Sequence, residues 1–181
     1  MVRLDPIARR LRQLFAVLDT DDDGFVTWED HQRMVEAYAE NYSLGPDDPR
    51  LAALAEAYWA QWLGLLAKST PGRFRLSQDE YVAAHRAVGY DTDRPDLLEN
   101  LAKALFAVLD SDGDKRISSD EFAAYLTFRG VSGDDAPLVF QRLDLDRDSY
   151  LSQREIARSL RAFHLNNDGL HAPGGIFLGL H

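Results

Sequence analysis

The sequence predicts an all-α protein in which four helix–loop–helix units pair into two halves and pack into one compact body. Two observations lead to this prediction. Apolar side chains recur at helical spacing beside the loops, as in the run of Ile7, Leu11, Leu14, Phe15 and Leu18. Four twelve-residue loops with related patterns separate the helical segments. Strand is expected only as short ribbons between paired loops.

The helical segments can be placed in order along the chain. Asp5 followed by Pro6 is a typical helix start, because aspartate caps the first turn and proline fixes its φ angle. The segment from about residue 50 to 68 is unusually long and rich in leucine and tryptophan. Further helices are predicted on both sides of the later loops, which gives eight main helices in all.

Three loops carry aspartate at positions 1, 3 and 5 and an acid at position 12; they cover residues 19–30, 110–121 and 144–155. Calcium takes about six to eight oxygens, and such a loop offers carboxylates, a carbonyl at position 7 and an oxygen at position 9. This is the EF-hand arrangement. The predicted ligands are Asp19, Asp21, Asp23, Phe25, Thr27, Asp30, Asp110, Asp112, Asp114, Arg116, Ser118, Glu121, Asp144, Asp146, Asp148, Tyr150, Ser152 and Glu155.

No loop matches the full EF-hand consensus. The first has Gly24 at position 6 but Asp30 at position 12, and the other two carry Lys115 and Ser149 at position 6. A left-handed backbone there costs a non-glycine residue roughly 1 kcal/mol, which a bound ion can offset. Aspartate reaches an ion less easily with both oxygens. The first site is therefore predicted to bind calcium more weakly or to hold magnesium, with ordinary calcium binding as the alternative.

The fourth loop, residues 69–80, is predicted to hold no metal. Positions 1, 3 and 5 are Ser69, Pro71 and Arg73, which places a positive charge where an ion would lie. Glu80 keeps the final acid of the pattern. We expect this loop to have a structural role.

Paired loops are expected to join through short β-ribbons at position 8. Val26 should face Leu76 in the first pair, and Ile117 should face Leu151 in the second. Pairing buries the apolar face of one unit against its partner, which is why three intact units imply a fourth.

The domain boundaries follow from this pairing. Residues 1–90 form the predicted N-terminal pair and residues 91–165 the C-terminal pair, with a polar junction at 89–95. The tail, residues 166–181, contains large apolar side chains whose burial is worth roughly 1.5–3 kcal/mol each. We expect the tail to dock between the two lobes; recognition of the tail by a partner protein is the alternative.

The composition argues against several classes of protein. A net charge of −10 without a basic stripe argues against a nucleic-acid partner, and three bound calcium ions would reduce it to about −4. Cysteine is absent, and no stretch approaches the roughly 20 apolar residues of a membrane span. The N-terminal segment carries arginines instead of the apolar run of a signal peptide. We expect a cytoplasmic monomer that binds neither membranes nor nucleic acids.

The chain resembles the calerythrin and sarcoplasmic calcium-binding protein family. The shared features are four EF-hands with a degenerate second loop, the absence of cysteine and a long third helix. The resemblance covers nearly the whole chain, and its most specific part is that the first, third and fourth loops are intact. It implies two lobes packed into one body and a role in calcium buffering or transport. Signalling roles are also proposed for the bacterial members.

Three functions remain open. A buffer is favoured, because sensor proteins expose a methionine-rich groove and this chain has only Met1 and Met34. A sensor acting on an unidentified protein target is the first alternative. The chain also resembles the photoproteins, which hold an organic ligand in a cavity lined by His, Trp and Tyr. His31 and His85 are instead expected to lie at the surface or to be only lightly packed. The sequence shows no nucleophile–base arrangement, P-loop or zinc motif, so we predict no enzymatic activity.

Overall fold

The structure is a computed structural model that describes residues 5–89 and 96–165. Within these residues it has eight α-helices and one two-stranded sheet, which confirms the predicted fold class. The helices are α1 (Pro6–Leu18), α2 (Trp28–Asn41), α3 (Pro49–Ala67), α4 (Gln78–Gly89), α5 (Leu97–Leu109), α6 (Ser119–Phe128), α7 (Ala136–Leu143) and α8 (Gln153–Leu165), and the strands are β1 (Phe25–Thr27) and β2 (Arg75–Ser77).

Local chemistry explains where two helices begin. The Asp5 carboxylate accepts bonds of 3.1 and 3.2 Å from two amides in the first turn of α1, and Pro6 is the first helical residue. The same arrangement starts α3, where the Asp48 side chain caps the turn that begins at Pro49. At 19 residues, α3 is as long as its apolar run predicts. These helices direct the chain into and out of the loops.

Each loop lies between two helices, which makes four hands. Hand 1 comprises α1 and α2, hand 2 comprises α3 and α4, hand 3 comprises α5 and α6, and hand 4 comprises α7 and α8. β1 and β2 are antiparallel, and Val26 faces Leu76. Ile117 and Leu151 exchange backbone bonds of 3.0 and 2.8 Å as a single bridge. Both predicted ribbons are thus confirmed, and all four side chains are fully buried.

The N-terminal pair (hands 1 and 2) and the C-terminal pair (hands 3 and 4) share one hydrophobic core. α3 packs along α5, and α8 contacts α1 and α4 as well as α5. Both pairs contribute to the largest fully buried side chains, among them Trp62, Tyr38, Tyr81, Tyr125, Phe122 and Phe163. Each such side chain stabilises the fold by roughly 1.5–3 kcal/mol, so either pair alone would expose a costly surface.

Arginines of each pair reach into the other. Arg10 of α1 is buried, and its Nε donates a 3.0 Å bond to the carbonyl oxygen of Phe163 in α8. Arg129, at the end of α6, lies close to the hydroxyls of Tyr38 and Tyr58 from α2 and α3. Burial raises the pKa of Tyr58 well above its ordinary value, so that hydroxyl is neutral. These contacts fix the two pairs against each other.

The expectation that His31 and His85 lie at the surface or are only lightly packed is wrong. They are 1% and 7% exposed, and His164 is 9% exposed. The His31 ring lies 5.3 Å from the Trp62 ring, and its Nδ1 is 2.8 Å from the carbonyl oxygen of Thr27. His85 stacks on His164 at 5.2 Å between centroids. Burial lowers the pKa of all three histidines, which therefore pack as neutral rings.

Two predictions fall outside the described residues. The junction at 90–95 and the tail at 166–181 are not described, so the lobe boundary and the docking of the tail stay predictions. Across the described ranges, no helix combines the length and apolar character needed to cross a membrane.

Candidate metal centres

The loops of hands 1, 3 and 4 share a left-handed backbone at position 6. The φ angle is +81° at Gly24, +66° at Lys115 and +70° at Ser149. The conformation expected at the two non-glycine residues is therefore present. It turns the chain sharply, so that the acids on both sides of the turn face a common centre.

Position 4 is also left-handed, which the sequence analysis did not predict. Its φ angle is +55° at Asp22, +77° at Gly113 and +61° at Arg147. Gly72 occupies the same position of hand 2, with φ of +80°. Glycine and aspartate tolerate this conformation better than most residues and offered a partial signal. Hand 2 therefore keeps part of the loop path without the ligands.

Aspartates at positions 1 and 5 hold the loop path. The amide of position 6 donates to the aspartate at position 1 over 3.0–3.1 Å in all three loops. The amide of position 7 donates to the aspartate at position 5 over 2.8–2.9 Å. The acceptors are Asp19, Asp110 and Asp144 at position 1 and Asp23, Asp114 and Asp148 at position 5.

Three clusters bring carboxylate oxygens within 4.8 Å of one another: Asp19, Asp21 and Asp23; Asp110, Asp112 and Glu121; and Asp144, Asp146 and Glu155. Oxygens on opposite sides of a calcium ion are about 4.6–5.2 Å apart, so the spacing and the oxygen-only donor set fit that ion. The crowding affects Asp146. The Asp148 amide lowers its pKa, but desolvation within the cluster and the charges of Asp148, Glu155 and Asp144 raise it overall. A divalent cation would relieve this repulsion.

Several predicted ligands lie beside these clusters. Asp30 is absent from the hand 1 cluster, and Asp114 and Asp148 are absent from the other two. Position 7 is Phe25 in hand 1, where it begins β1. It is Arg116 in hand 3 and Tyr150 in hand 4, and the Arg116 guanidinium lies 4.0 Å from the centre of the Tyr150 ring. The predicted contribution of position 7 is its carbonyl oxygen, which leaves these side chains free to pack on each other.

The acid at position 12 is anchored in the same way in all four hands. One of its oxygens accepts bonds of 2.7–3.0 Å from the amide and hydroxyl of position 9. The pairs are Thr27 with Asp30, Ser77 with Glu80, Ser118 with Glu121, and Ser152 with Glu155. This capping contact starts each exit helix, so the position-9 hydroxyl also positions the acid.

The second oxygen of position 12 differs between the pairs. In hands 3 and 4 it accepts from the amide at loop position 2, over 2.9 Å from Ser111 and 2.7 Å from Leu145. In hand 2 it accepts instead from the guanidinium of Arg73 over 2.8 Å. In hand 1 it accepts from Arg33 of α2. The C-terminal glutamates therefore close over their loops, whereas the N-terminal acids pair with arginines.

Arg33 spans the first loop. Its Nε donates to the Thr20 hydroxyl over 2.7 Å, and an Nη donates to Asp21 over 3.0 Å and to Asp30. Burial raises the pKa of Asp30, but bonds from Thr27 and Arg33 lower it overall, so Asp30 is a buried anion balanced by Arg33. Arg33 is not among the residues predicted from the sequence. An arginine one helical turn after position 12 was the available signal.

Calcium-binding proteins are among the relatives that the sequence matches. A sequence profile described as EF hand matches residues 11–35, within hand 1. Calerythrin from Saccharopolyspora erythraea is 23% identical over 159 residues, which is 86% of this chain and 90% of that protein. A sarcoplasmic calcium-binding protein from Perinereis vancaurica tetradentata is 24% identical over 129 residues, which is 71% of this chain and 72% of that protein.

Solved structures share the fold. A Streptomyces coelicolor calcium-binding protein, described in the context of prokaryotic calcium-mediated regulation, aligns with a TM-score of 0.73 and 25% identity. That alignment covers 87% of this chain and 97% of the other. Calcium-loaded apo-aequorin from Aequorea victoria aligns with a TM-score of 0.76 and 22% identity over 87% of this chain and 90% of its own.

The fold and the three acidic loops define the chain as a calcium-binding EF-hand protein. It is related to calerythrin and the sarcoplasmic calcium-binding proteins, which confirms the predicted resemblance, and it shares its fold with the photoproteins. These relatives are calcium-binding proteins and not enzymes, so the relationship gives no support for a catalytic role.

Proposed function

We propose that the protein is an intracellular calcium buffer that binds one calcium ion in each of hands 1, 3 and 4. The observation that carries this proposal is the clustering of carboxylates in three loops on a core shared by both pairs. A sensor must expose apolar surface when it binds calcium, whereas here the two pairs bury their apolar faces against each other. Filling the loops therefore need not rearrange the core.

The roles of the loop residues follow from their positions. The aspartates at positions 1, 3 and 5 and the acid at position 12 would supply carboxylate oxygens, with a carbonyl at position 7 and position 9 acting through water. Hand 2 lacks the three aspartates, and Arg73 binds its final acid, Glu80. We propose that hand 2 serves as the structural partner of hand 1, with which it shares the β-ribbon.

The proposal includes two kinds of site. In hands 3 and 4 the glutamate at position 12 belongs to the carboxylate cluster, so all the oxygens already face one centre. In hand 1 the shorter Asp30 lies outside the cluster. We propose that hands 3 and 4 bind calcium more tightly, and that hand 1 binds it more weakly or holds magnesium at rest, because magnesium needs fewer ligands in a stricter geometry.

Calorimetric titration of chelator-treated protein with calcium, in about 1–2 mM magnesium, tests this function. We expect binding at three sites, two of them at micromolar affinity or tighter. The variant Glu80→Gln in hand 2 is the matched control, because it removes a position-12 carboxylate from a loop that is proposed to hold no ion. Absence of binding in the unmodified protein would refute the proposal.

Calcium sensing is a second candidate, and two observations support it. Trp59, Leu63 and Phe74 of the N-terminal pair are 42%, 42% and 77% exposed, and the Trp59 ring lies 4.7 Å from that of Trp28. The Streptomyces coelicolor protein is described in the context of calcium-mediated regulation. Binding of a hydrophobic dye separates the candidates: a several-fold rise on adding calcium favours a sensor, and little change favours a buffer.

Binding of an organic ligand has less support. His31 packs against Trp62 and Tyr58, with ring centroids 5.3 and 6.1 Å apart, so these side chains occupy the interior themselves. We also propose that the protein is cytoplasmic, in keeping with a chain that has no cysteine for disulfides, and that it is a monomer. Sedimentation of calcium-loaded protein at one chain mass would agree with this, and a stable dimer would contradict it.

A further inference from the structure

We propose that Arg33 is a built-in counter-ion that competes with the divalent cation for Asp21 and Asp30, and thereby sets the metal affinity of hand 1. The inference deepens the proposed calcium binding and rests on it. In this role Arg33 is a specificity-determining residue, because it penalises any ion that cannot displace it.

Arg33 is the partner that can move. The Asp30 side chain is 2% exposed and is held by the amide and hydroxyl of Thr27, whereas the Arg33 side chain is 41% exposed. The acid is therefore fixed and the arginine can swing into solvent. Asp21 is also half exposed, so its ion pair with Arg33 opens readily. Displacing Arg33 requires no change in the core.

Arg33 binds the Asp30 oxygen that an ion would need. Thr27 occupies Oδ2 of Asp30, and Arg33 binds Oδ1. In hand 4 the corresponding oxygen of Glu155 accepts from the amide of Leu145 at the loop. A divalent cation in hand 1 would need Oδ1 of Asp30 and the carboxylate of Asp21, which are the groups that Arg33 contacts. A positive charge this close would also repel the ion.

Hand 2 offers a parallel, because an arginine of its loop binds the final acid there. Arg73, at loop position 5, binds Glu80 over 2.8 Å, and positions 1 and 3 of this loop are not acidic. Hand 2 thus shows that a guanidinium can balance the final acid of a hand in this fold. Hand 1 has both the arginine and the acidic cluster, so the two cations compete there.

The chain also provides a matched control. Arg158 lies three residues after position 12 of hand 4, as Arg33 does in hand 1, and it is exposed. Both oxygens of Glu155 accept bonds from Ser152 and Leu145 instead. Replacing Arg158 removes the same charge from the same helical position without touching the acid.

The experiment compares Arg33→Gln and Arg158→Gln in calcium titrations of metal-free protein. Tryptophan emission reports hand 1, because Trp28 is position 10 of that loop and Trp59 and Trp62 lie in the same pair, while calorimetry reports all sites. We expect Arg33→Gln to tighten hand 1 by about tenfold, with hands 3 and 4 unchanged. Arg158→Gln should leave hand 1 unchanged.

A second readout uses no metal. Arg33→Gln should lower the melting temperature of chelator-treated protein by a few degrees, because Asp21 and Asp30 lose their counter-charge. Arg158→Gln should not. Arg33→Lys keeps the charge but loses the planar fork, so its hand 1 affinity should lie between those of the parent and Arg33→Gln.

Unchanged or weaker calcium binding at hand 1 in folded Arg33→Gln would overturn the inference while leaving the proposed function intact, provided that hands 3 and 4 still bind. Failure of all hands in the unmodified protein would overturn the proposed function itself. If Arg33→Gln does not fold, Arg33→Lys becomes the test. A hand 1 calcium affinity equal to that of the parent would then reject the competition.

Discussion

The N-terminal and C-terminal pairs start their exit helices with the same capping contact, yet they neutralise the acid at position 12 differently. Glu121 and Glu155 reach the amide at loop position 2, whereas Asp30 and Glu80 are bound by arginines. The difference shows that a hand can balance its final acid with amide donors or with a guanidinium. Only the first arrangement brings that acid into the carboxylate cluster.

The largest expected effect tests whether the two pairs form one folding unit. Leu105 of α5 is fully buried in the shared core, so Leu105→Ala should lower the free energy of unfolding by about 2–5 kcal/mol. Every tryptophan lies in the N-terminal pair, whereas Leu105 lies in the C-terminal pair. Tryptophan emission in a denaturant titration therefore shows whether the loss of stability also affects the N-terminal pair. Leu138→Ala, at a side chain 60% exposed, is the control and should change stability by less than about 0.5 kcal/mol. An unchanged tryptophan transition in Leu105→Ala would mean that the pairs unfold separately.

The next prediction separates acids that face a cluster from acids that do not. Glu155→Gln should weaken calcium binding in hand 4 by about a hundredfold, because it removes a charged ligand from the cluster. Glu80→Gln should leave every calcium site unchanged, since Glu80 pairs with Arg73. Calorimetry measures both variants. Equal losses in the two would contradict the distinction between the pairs.

A pH titration tests the contact between α4 and α8. Burial, together with the charge of Arg10, lowers the pKa of His164 to about 4 from an ordinary 6.5, and burial also lowers that of His85. Both rings are neutral in the folded protein near pH 7, and the unfolded chain takes up protons first as the pH falls. Stability should therefore decline between about pH 6.5 and pH 4, by about 2 kcal/mol at pH 5 for His164.

Urea unfolding of metal-free protein at several pH values measures this decline. His164→Phe should flatten the profile, because phenylalanine keeps the stacking partner of His85 without a titrating group. An equally steep profile in that variant would show that other groups cause the decline.

The smallest expected effect concerns the length of the acid in hand 1. Asp30→Glu should raise calcium affinity there by about three- to tenfold, because glutamate reaches the ion more easily with both oxygens. The gain should be larger when Arg33 is also replaced, because the two residues contact each other and their effects need not add. An equal gain in calcium affinity with and without Arg33 would mean that the length of the acid acts independently of the arginine.

Much of this fold could be predicted from the sequence, because each loop is defined by acidic and apolar residue types at fixed positions. The left-handed turns at Lys115 and Ser149 follow from position alone. The sequence could not show that Arg33 reaches the loop, because that contact depends on how the exit helix leaves it. It also could not place His85 in the core, because the face of α4 that α8 covers is set by packing between the pairs. Nothing in Arg147 favours its positive φ.

The most direct test is a calcium titration of metal-free protein in about 1–2 mM magnesium, monitored by both calorimetry and tryptophan emission. We expect hands 3 and 4 to fill first with little change in emission, and hand 1 to fill last with a change at Trp28. An emission change that is complete before the other two sites have filled, or no binding at all, would contradict it.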